Sequence, residues 1–328
     1  MPAALIALLA IGGWIVPWQK DAGLASVERA SGRLSDVLIF AARLDQDGHP
    51  VLDGSAEEWA KAVERIHAAE ARAWLTIVND RVGGGPTVLK DAEIVHRRIG
   101  SAEARAAHAS EIVALATSLK VDGVDVDYEN LPASERESVT AFARELRDAA
   151  RSSGLKLSIT VQPKRGASSS KGPGAADWRE LCRIADRVQV MLYNEHNAST
   201  GPGPVASPAW VEAVAKYALS VCPAEKIVPV LKVSGMDWGP SKADWRSFGE
   251  IAATREKVKP KVKRERGTKV PWFAYHAGED RHVVYFEDAQ SLEAKAKTLR
   301  RLGLDDVVLW SLGSEDSEAV ERLAAQKR

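Results

Sequence analysis

Apolar runs rich in β-branched residues alternate along the chain with longer stretches whose apolar positions recur at helical spacing. That alternation predicts buried parallel strands joined by helices. Candidate strands cover 14–19, 37–43, 73–79, 123–129, 156–163, 187–194, 227–233 and 306–312. Eight such strands with helices between them predict an α/β fold, a (β/α)8 barrel of the TIM type. Helical spacing runs over 102–120, 135–152, 209–221 and 292–301. Ser55 with Glu58 and Ser134 with Glu137 have the spacing of capping boxes, and Ser207 precedes Pro208 as an N-cap with proline at the first helical position. Gly154 and Gly303 stand where two of the helices should stop.

The connections are asymmetric. Those from helix to strand are short, as at 153–155 and 303–305, whereas several leaving strands are long and rich in Gly, Pro and Ser, at 80–86, 164–175 and 195–204. In a barrel of this kind the strand-to-helix loops build the active face, so the elaborated end is the expected site. A small insertion is expected between strands seven and eight, at about 235–290, with a basic run over 255–269 that reads as a solvated hairpin. The barrel is expected to occupy 14–328. Residues 1–13 read as a signal remnant or N-terminal extension: the apolar stretch is too short for a membrane span and lacks a preceding basic residue. The preferred reading is a trimmed or mis-started signal segment running straight into strand one.

Acidic and basic side chains balance at 45 each, so neither a nucleic-acid partner nor a membrane surface is expected. Ten tryptophans against five phenylalanines is a skewed aromatic choice, and Trp offers flat apolar platforms of the kind on which sugars stack. Cys182 and Cys222 fall in or beside two expected helices, and two buried free thiols are expected. The histidines have no metal-ligand spacing, the glycines at 83–85 lack the Lys-Ser/Thr of a phosphate loop, and no G-x-S-x-G elbow occurs.

The chemistry concentrates at 121–130. Read with a period of two, Asp125, Asp127 and Glu129 share one face of a strand, and Val124, Val126 and Tyr128 share the other. Acids stacked this way repel, and strands disfavour Asp, so the column must serve a purpose. An exposed acidic face fits poorly with the valines and the apolar lead-in at 112–119. A calcium loop from Asp125 would need glycine at its sixth position, where Asn130 stands. Like charges raise one another's pKa, so at least one of the three should hold a proton near neutrality, as a general acid for glycoside cleavage must.

Asp122, Gly123, Asp125, Asp127 and Glu129 together resemble the DGxDxDxE signature of glycoside hydrolase family 18, the chitinase-type enzymes. The following Asn130, Leu131 and Pro132, with later segments, resemble the bacterial branch of spore-cortex-lytic N-acetylglucosaminidases; the resemblance runs from about Trp14 to about Asp316. It implies that Glu129 is the general acid/base, that Asp127 steadies the substrate acetamide, and that Asp125 shares a proton with Asp127. Met191, Tyr193, Asn194, Glu195 and His196 resemble the family's M-x-Y-D segment and the Glu-His of the spore branch, implying that Tyr193 aims the acetamide carbonyl. Asn194 departs from the family's Asp; its amide can still bind sugar, without the charge. Trp310 stands where the family has the floor of the reacting-sugar subsite. Trp238 is a weaker stacking candidate, and Gln162 a plausible polar contact.

The resemblance implies a retaining β-N-acetylglucosaminidase that uses the substrate's own acetamide as nucleophile and needs no metal or other cofactor. The expected partner is an N-acetylglucosamine-containing glycan, peptidoglycan first and chitin oligomers second, cut by a monomeric, exported protein. The other class left open is a non-catalytic chitinase-like glycan-binding protein.

Overall fold

The computed structural model describes residues 10–325. Strand β1 (Ile11–Ile15) pairs in parallel with β2 (Leu34–Leu44) on one side and with β14 (Val307–Trp310) on the other, which closes the barrel. Between these run β4 (Arg72–Arg81), β5 (Gly123–Asp127), β6 (Lys156–Val161), β7 (Arg187–Met191) and β8 (Ile227–Lys232), all parallel and in chain order. A short β3 (Pro50–Leu52) adds antiparallel to the end of β2. The barrel is the (β/α)8 architecture that the strand pattern predicts.

The differences lie at element ends. Strand one begins at Ile11 and stops at Ile15, because Pro17 opens a one-turn 3-10 helix (Pro17–Gln19) that lifts Trp18 off the strand. The boundary drawn after residue 13 therefore falls inside β1, and residues 1–9 of the expected extension lie outside the described residues. Ser207 caps its helix through Trp210 N, and Ser55 accepts from Glu58 N. Ser134 caps nothing: a 3-10 turn (Ala133–Glu135) leads into the helix Arg136–Ser152, and the Glu135 carboxylate meets His96 Nδ1 at 2.7 Å.

Cys182 and Cys222 are not free thiols. They form a disulfide with Cα atoms 5.8 Å apart. The helix Trp178–Ile184 lies beside the C-terminal end of the helix Pro208–Val221, a proximity that no local pattern encodes.

The barrel interior is polar in layers. At the N-terminal ends of the strands, Asp36 accepts from Arg72 at 2.9 and 3.0 Å, from Arg187 at 3.1 Å and from Trp74 Nε1 at 2.6 Å. The Arg187 guanidinium lies 3.7 Å from the Trp74 ring centroid. Gly123 opens β5 because Trp74 passes so close that a β-carbon there would sit 2.4 Å from its ring. Higher up, Thr76, Thr160 and Gln189 converge on Asp125. The C-terminal strand ends open into the cleft described below.

After β8 the chain builds a second, antiparallel sheet from β9 (Gly235–Trp238), β10 (Ala243–Arg246), β11 (Lys263–Arg264), β12 (Pro271–Ala277) and β13 (Asp280–Tyr285), in the order β10-β9-β13-β12-β11. The helix Phe248–Val258 packs on it, with Ile251, Phe273, Val284 and Phe286 as a separate small core. The basic run is a hairpin only in its second half, where β11 turns back antiparallel onto β12. It finishes this helix and supplies the edge strand β11, where Arg264 pairs with Asp288 at 2.6 Å.

Candidate active site

The alternation read along β5 is the geometry observed. Asp125 and Asp127 face the barrel interior, while Val126 and Tyr128 pack outward near Phe142, with Tyr128 Oη 2.7 Å from His108 Nε2. Asp125 is fully buried and accepts hydroxyl hydrogen bonds from Thr76 (3.2 Å) and Thr160 (3.0 Å) and an amide bond from Gln189 (3.2 Å). Burial pushes its pKa up more than the Ser158 hydroxyl, the Arg187 charge and the Thr160 and Thr76 hydroxyls bring it down. Asp127, one pleat nearer the opening, is also buried, and its Oδ1 has no partner among the described residues. Burial, then the charges of Glu129 and Asp125, hold its carboxyl well above the usual range, against the opposing pull of Lys90.

Glu129 lies just beyond β5, which ends at Asp127. Its backbone is clamped by Asn79: the Glu129 amide donates to Oδ1 and Nδ2 donates to the Glu129 carbonyl, each at 2.9 Å. The Glu129 carboxylate makes an ion pair with Lys90. The chain then turns sharply through Asn130, at φ 57°. Gln162 holds that turn, accepting from Asn130 N (3.0 Å) and donating to Asn130 Oδ1 (3.2 Å). Gly172 sits at φ 83°, a conformation that favours glycine, and a β-carbon there would also displace the Gln162 amide, whose Oε1 would be 2.1 Å away.

Tyr193 and Asn194 follow the end of β7. Tyr193 is buried, and desolvation and the charges of Asp127 and Glu129 push its hydroxyl well above its usual pKa, so it keeps its proton at neutral pH and is available as a donor. Asn194 sits at φ 70°, a left-handed conformation that Asn tolerates better than most residues. Trp310 ends β14, held edge-on by Trp14 (5.6 Å between centroids) and Phe40 (5.0 Å).

These residues share one cleft of about 680 Å³, which contains Asp127, Glu129, Tyr193, Asn194 and Trp310 in its wall. Asp125 lies beneath it. Two of the expected substrate contacts are elsewhere. Gln162 does not line the cleft; it braces the turn behind Glu129. Trp238 ends strand β9 of the insertion sheet and is buried, with its Nε1 donating to Asn197 O at 3.2 Å. The exposed rings of the cleft are Trp245, on the neighbouring strand β10, and Trp18, which stands edge-on to Phe40.

Sequence reasoning also passed over Lys90 and Lys232. Lys232 is the last residue of β8, and the position was readable, because barrel strand ends face the site. Its ammonium lies 3.8 Å from the Trp245 centroid, 5.6 Å from that of Tyr193 and 5.8 Å from that of Trp310. Burial pulls its pKa down to about 7, with Lys90 acting in the same direction and Glu129 against it. Lys90 comes from the long loop after β4 and had no local signal. Among the described residues no cluster of three or more His, Cys, Asp or Glu side chains could hold a metal ion, and no helix is long and apolar enough to cross a membrane.

The family model for glycosyl hydrolases family 18 matches residues 88–316. The cortical fragment-lytic enzyme of Bacillus subtilis is 32% identical over 235 residues, 69% of this chain and 52% of that protein. The chain thus spans about half the length of that curated relative. A chitinase crystal structure from Chromobacterium violaceum superposes with TM-score 0.85 and 25% identity, covering 97% of this chain and 99% of that one. The spore cortex-lytic enzyme SleL of Bacillus cereus superposes with TM-score 0.84 and 21% identity, over 96% of this chain and 73% of that one.

Proposed function

Because the chain belongs to family 18 of the glycosyl hydrolases, we propose that it cleaves β-1,4 linkages after N-acetylglucosamine, most of all in peptidoglycan, with retention and with Glu129 as general acid/base. The observation that carries this reading is the column Asp125, Asp127, Glu129, which rises from the closed barrel interior into a cleft floored by Trp310.

In this reading the reacting sugar stacks on Trp310 and its acetamide lies between Asp127 and Tyr193. The Tyr193 hydroxyl donates to the acetamide carbonyl and aims that oxygen at the anomeric carbon. Glu129 gives its proton to the departing glycosidic oxygen as the acetamide oxygen forms the new bond, closing an oxazolinium ring. No carboxylate nucleophile is used, which sets this family apart from the usual two-carboxylate scheme. Positive charge on the ring draws Asp127 toward its ionised form, and the proton it gives up passes to Asp125 below, whose buried carboxyl favours the neutral form. Water activated by Glu129 then attacks the anomeric carbon from the face that the leaving group vacated, breaking the bond to the acetamide oxygen and returning the proton to Glu129. Lys90 must leave Glu129 for the acid step, and the incoming leaving group takes its place.

Peptidoglycan is favoured over chitin by the relative named for cortical fragment lysis, and chitin stays the second reading because of the likeness to a chitinase. Export agrees with that substrate and with the Cys182–Cys222 disulfide, since such bonds persist in oxidising compartments. The deciding experiment is digestion of purified peptidoglycan and of chitin oligomers by the wild-type chain and by Glu129→Gln, following reducing ends and fragment masses. Fragments ending in reducing N-acetylglucosamine are expected from the wild type, and a rate lower by roughly two to four orders of magnitude from the variant. Near-normal turnover by Glu129→Gln would remove it from the acid role. Binding without release of reducing ends by the wild type would make the protein a lectin.

A further inference from the structure

The cleft holds four cations, and three are already matched. Lys90 pairs with Glu129, Arg43 with Asp53 at 2.7 Å, and Arg246 lies 3.5 Å from Asp244 and 3.8 Å from Glu250. Lys232 is different. Among the described residues no carboxylate lies within ion-pair distance of it, and its close neighbours are the rings of Trp245, Tyr193 and Trp310.

An ammonium drawn partly out of water without a counter-ion is costly, and cation–π contacts return only part of that cost. The lowered basicity of Lys232 reflects the same imbalance. Such a group gains most from an incoming anion, because charge–charge attraction strengthens in a site walled by aromatic rings. A neutral polyol offers it only dipoles. The position is also apt: Lys232 is in register with Trp310, so it stands at the edge of the surface on which the reacting sugar is proposed to stack.

We propose that Lys232 reads a carboxylate on the substrate, carried next to the reacting sugar, and so separates acidic N-acetylated glycans from neutral ones. This rests on the glycan-cleaving reading above and narrows it to a substrate class. The carboxylate has two sources in wall glycan, the lactyl ether of a muramyl sugar and the peptide attached to it.

The test is calorimetric binding to the Glu129→Gln chain, which does not consume its ligands. One probe is the tetrasaccharide of alternating N-acetylglucosamine and N-acetylmuramic acid, with free lactyl carboxylates, against its carboxamide. The other is the same glycan bearing one alanine on each lactyl group, against its amide. The acid is expected to bind about tenfold tighter than its amide or more. In Glu129→Gln combined with Lys232→Met that ratio falls toward one, and with Lys232→Arg it is kept. Preference for the free lactyl acid assigns the carboxylate to the sugar, and preference confined to the alanyl glycan assigns it to the peptide. Equal affinity for acid and amide in the Lys232 chain overturns the proposal without any variant, and so does an undiminished preference in Lys232→Met. Failure of the hydrolase reading is seen separately, as a wild-type chain that cuts neither peptidoglycan nor chitin, and the acid-to-amide ratio still decides what Lys232 does.

Discussion

At the scale of single residues, Tyr193 gives the sharpest separation between a catalytic and a packing role. Its hydroxyl is buried, held in the protonated form, and faces the charges of Asp127 and Glu129 across the cleft. In Tyr193→Phe the ring and its packing stay while the donor is lost. Steady-state kinetics on peptidoglycan fragments should show kcat falling by about tenfold or more with KM changing little, since an interaction made in the transition state is lost. A change confined to KM would make Tyr193 a simple sugar contact. The acids of this site were legible in the sequence because the period of a strand fixes which side chains share a face. Trp238 and Gln162 misled for the converse reason. Both stand near strand ends, where side-chain direction depends on partners far away in sequence, Asn197 for one and Asn130 for the other. Trp245, which does reach the cleft, lies on β10 and could be placed there only once the insertion had been folded, whereas Lys232 was readable as the end of a barrel strand.

At the scale of elements, the strands of the barrel divide the labour along their length. The column on β5 strains the C-terminal end with acids held against their preferred ionisation, whereas the N-terminal ends of β2, β4 and β7 are tied by Asp36, Arg72 and Arg187. Burial pushes the Asp36 pKa up, but the Arg187 charge and the two hydrogen bonds from Arg72 outweigh it, and the net shift is downward. Burial also weakens Arg187 as a base despite Asp36 and Asp125, but a guanidinium starts so high that it remains charged. A carboxyl with a lowered folded pKa stabilises the fold above its unfolded value, about 3.9, and loses that contribution as pH falls through the folded value. Asp36→Asn should therefore cost about 3–5 kcal/mol at pH 7, by leaving Arg187 buried without its counter-charge. In urea titrations the gap between the two proteins should narrow below about pH 4 as the wild type loses its advantage. A gap that stays constant from pH 7 to pH 3 would mean that the carboxylate's charge contributes nothing. Most barrel strands were legible from their apolar runs, but this network was not, because its members lie on three different strands and meet only when the barrel closes.

At the scale of the whole molecule, the segment between Cys182 and Cys222 contains β7, Tyr193, Asn194 and the long loop that follows them. The disulfide joins the helix before β7 to the end of the helix after it, so one covalent link outside the barrel closes the unit that presents Tyr193 inside. The two cysteines are 40 residues apart, and a link of that span restricts the unfolded chain by an amount worth about 2–4 kcal/mol. Replacing both cysteines with alanine should lower the urea midpoint by the equivalent of that figure, with a somewhat steeper slope because the unlinked chain is less compact when unfolded. Peptidoglycan turnover at 25 °C should persist, because the strand order and the packing of Trp178 against Tyr217 continue to hold the two helices. Wild-type protein treated with a thiol reductant should move to the same midpoint as the double variant. If oxidised, reduced and substituted chains all unfold together, the link contributes no stability and the barrel alone holds the Tyr193 unit. If turnover is lost while most of the fold remains, the disulfide is part of what keeps Tyr193 over the cleft, and the coupling between the outer helices and the site is tighter than the packing suggests.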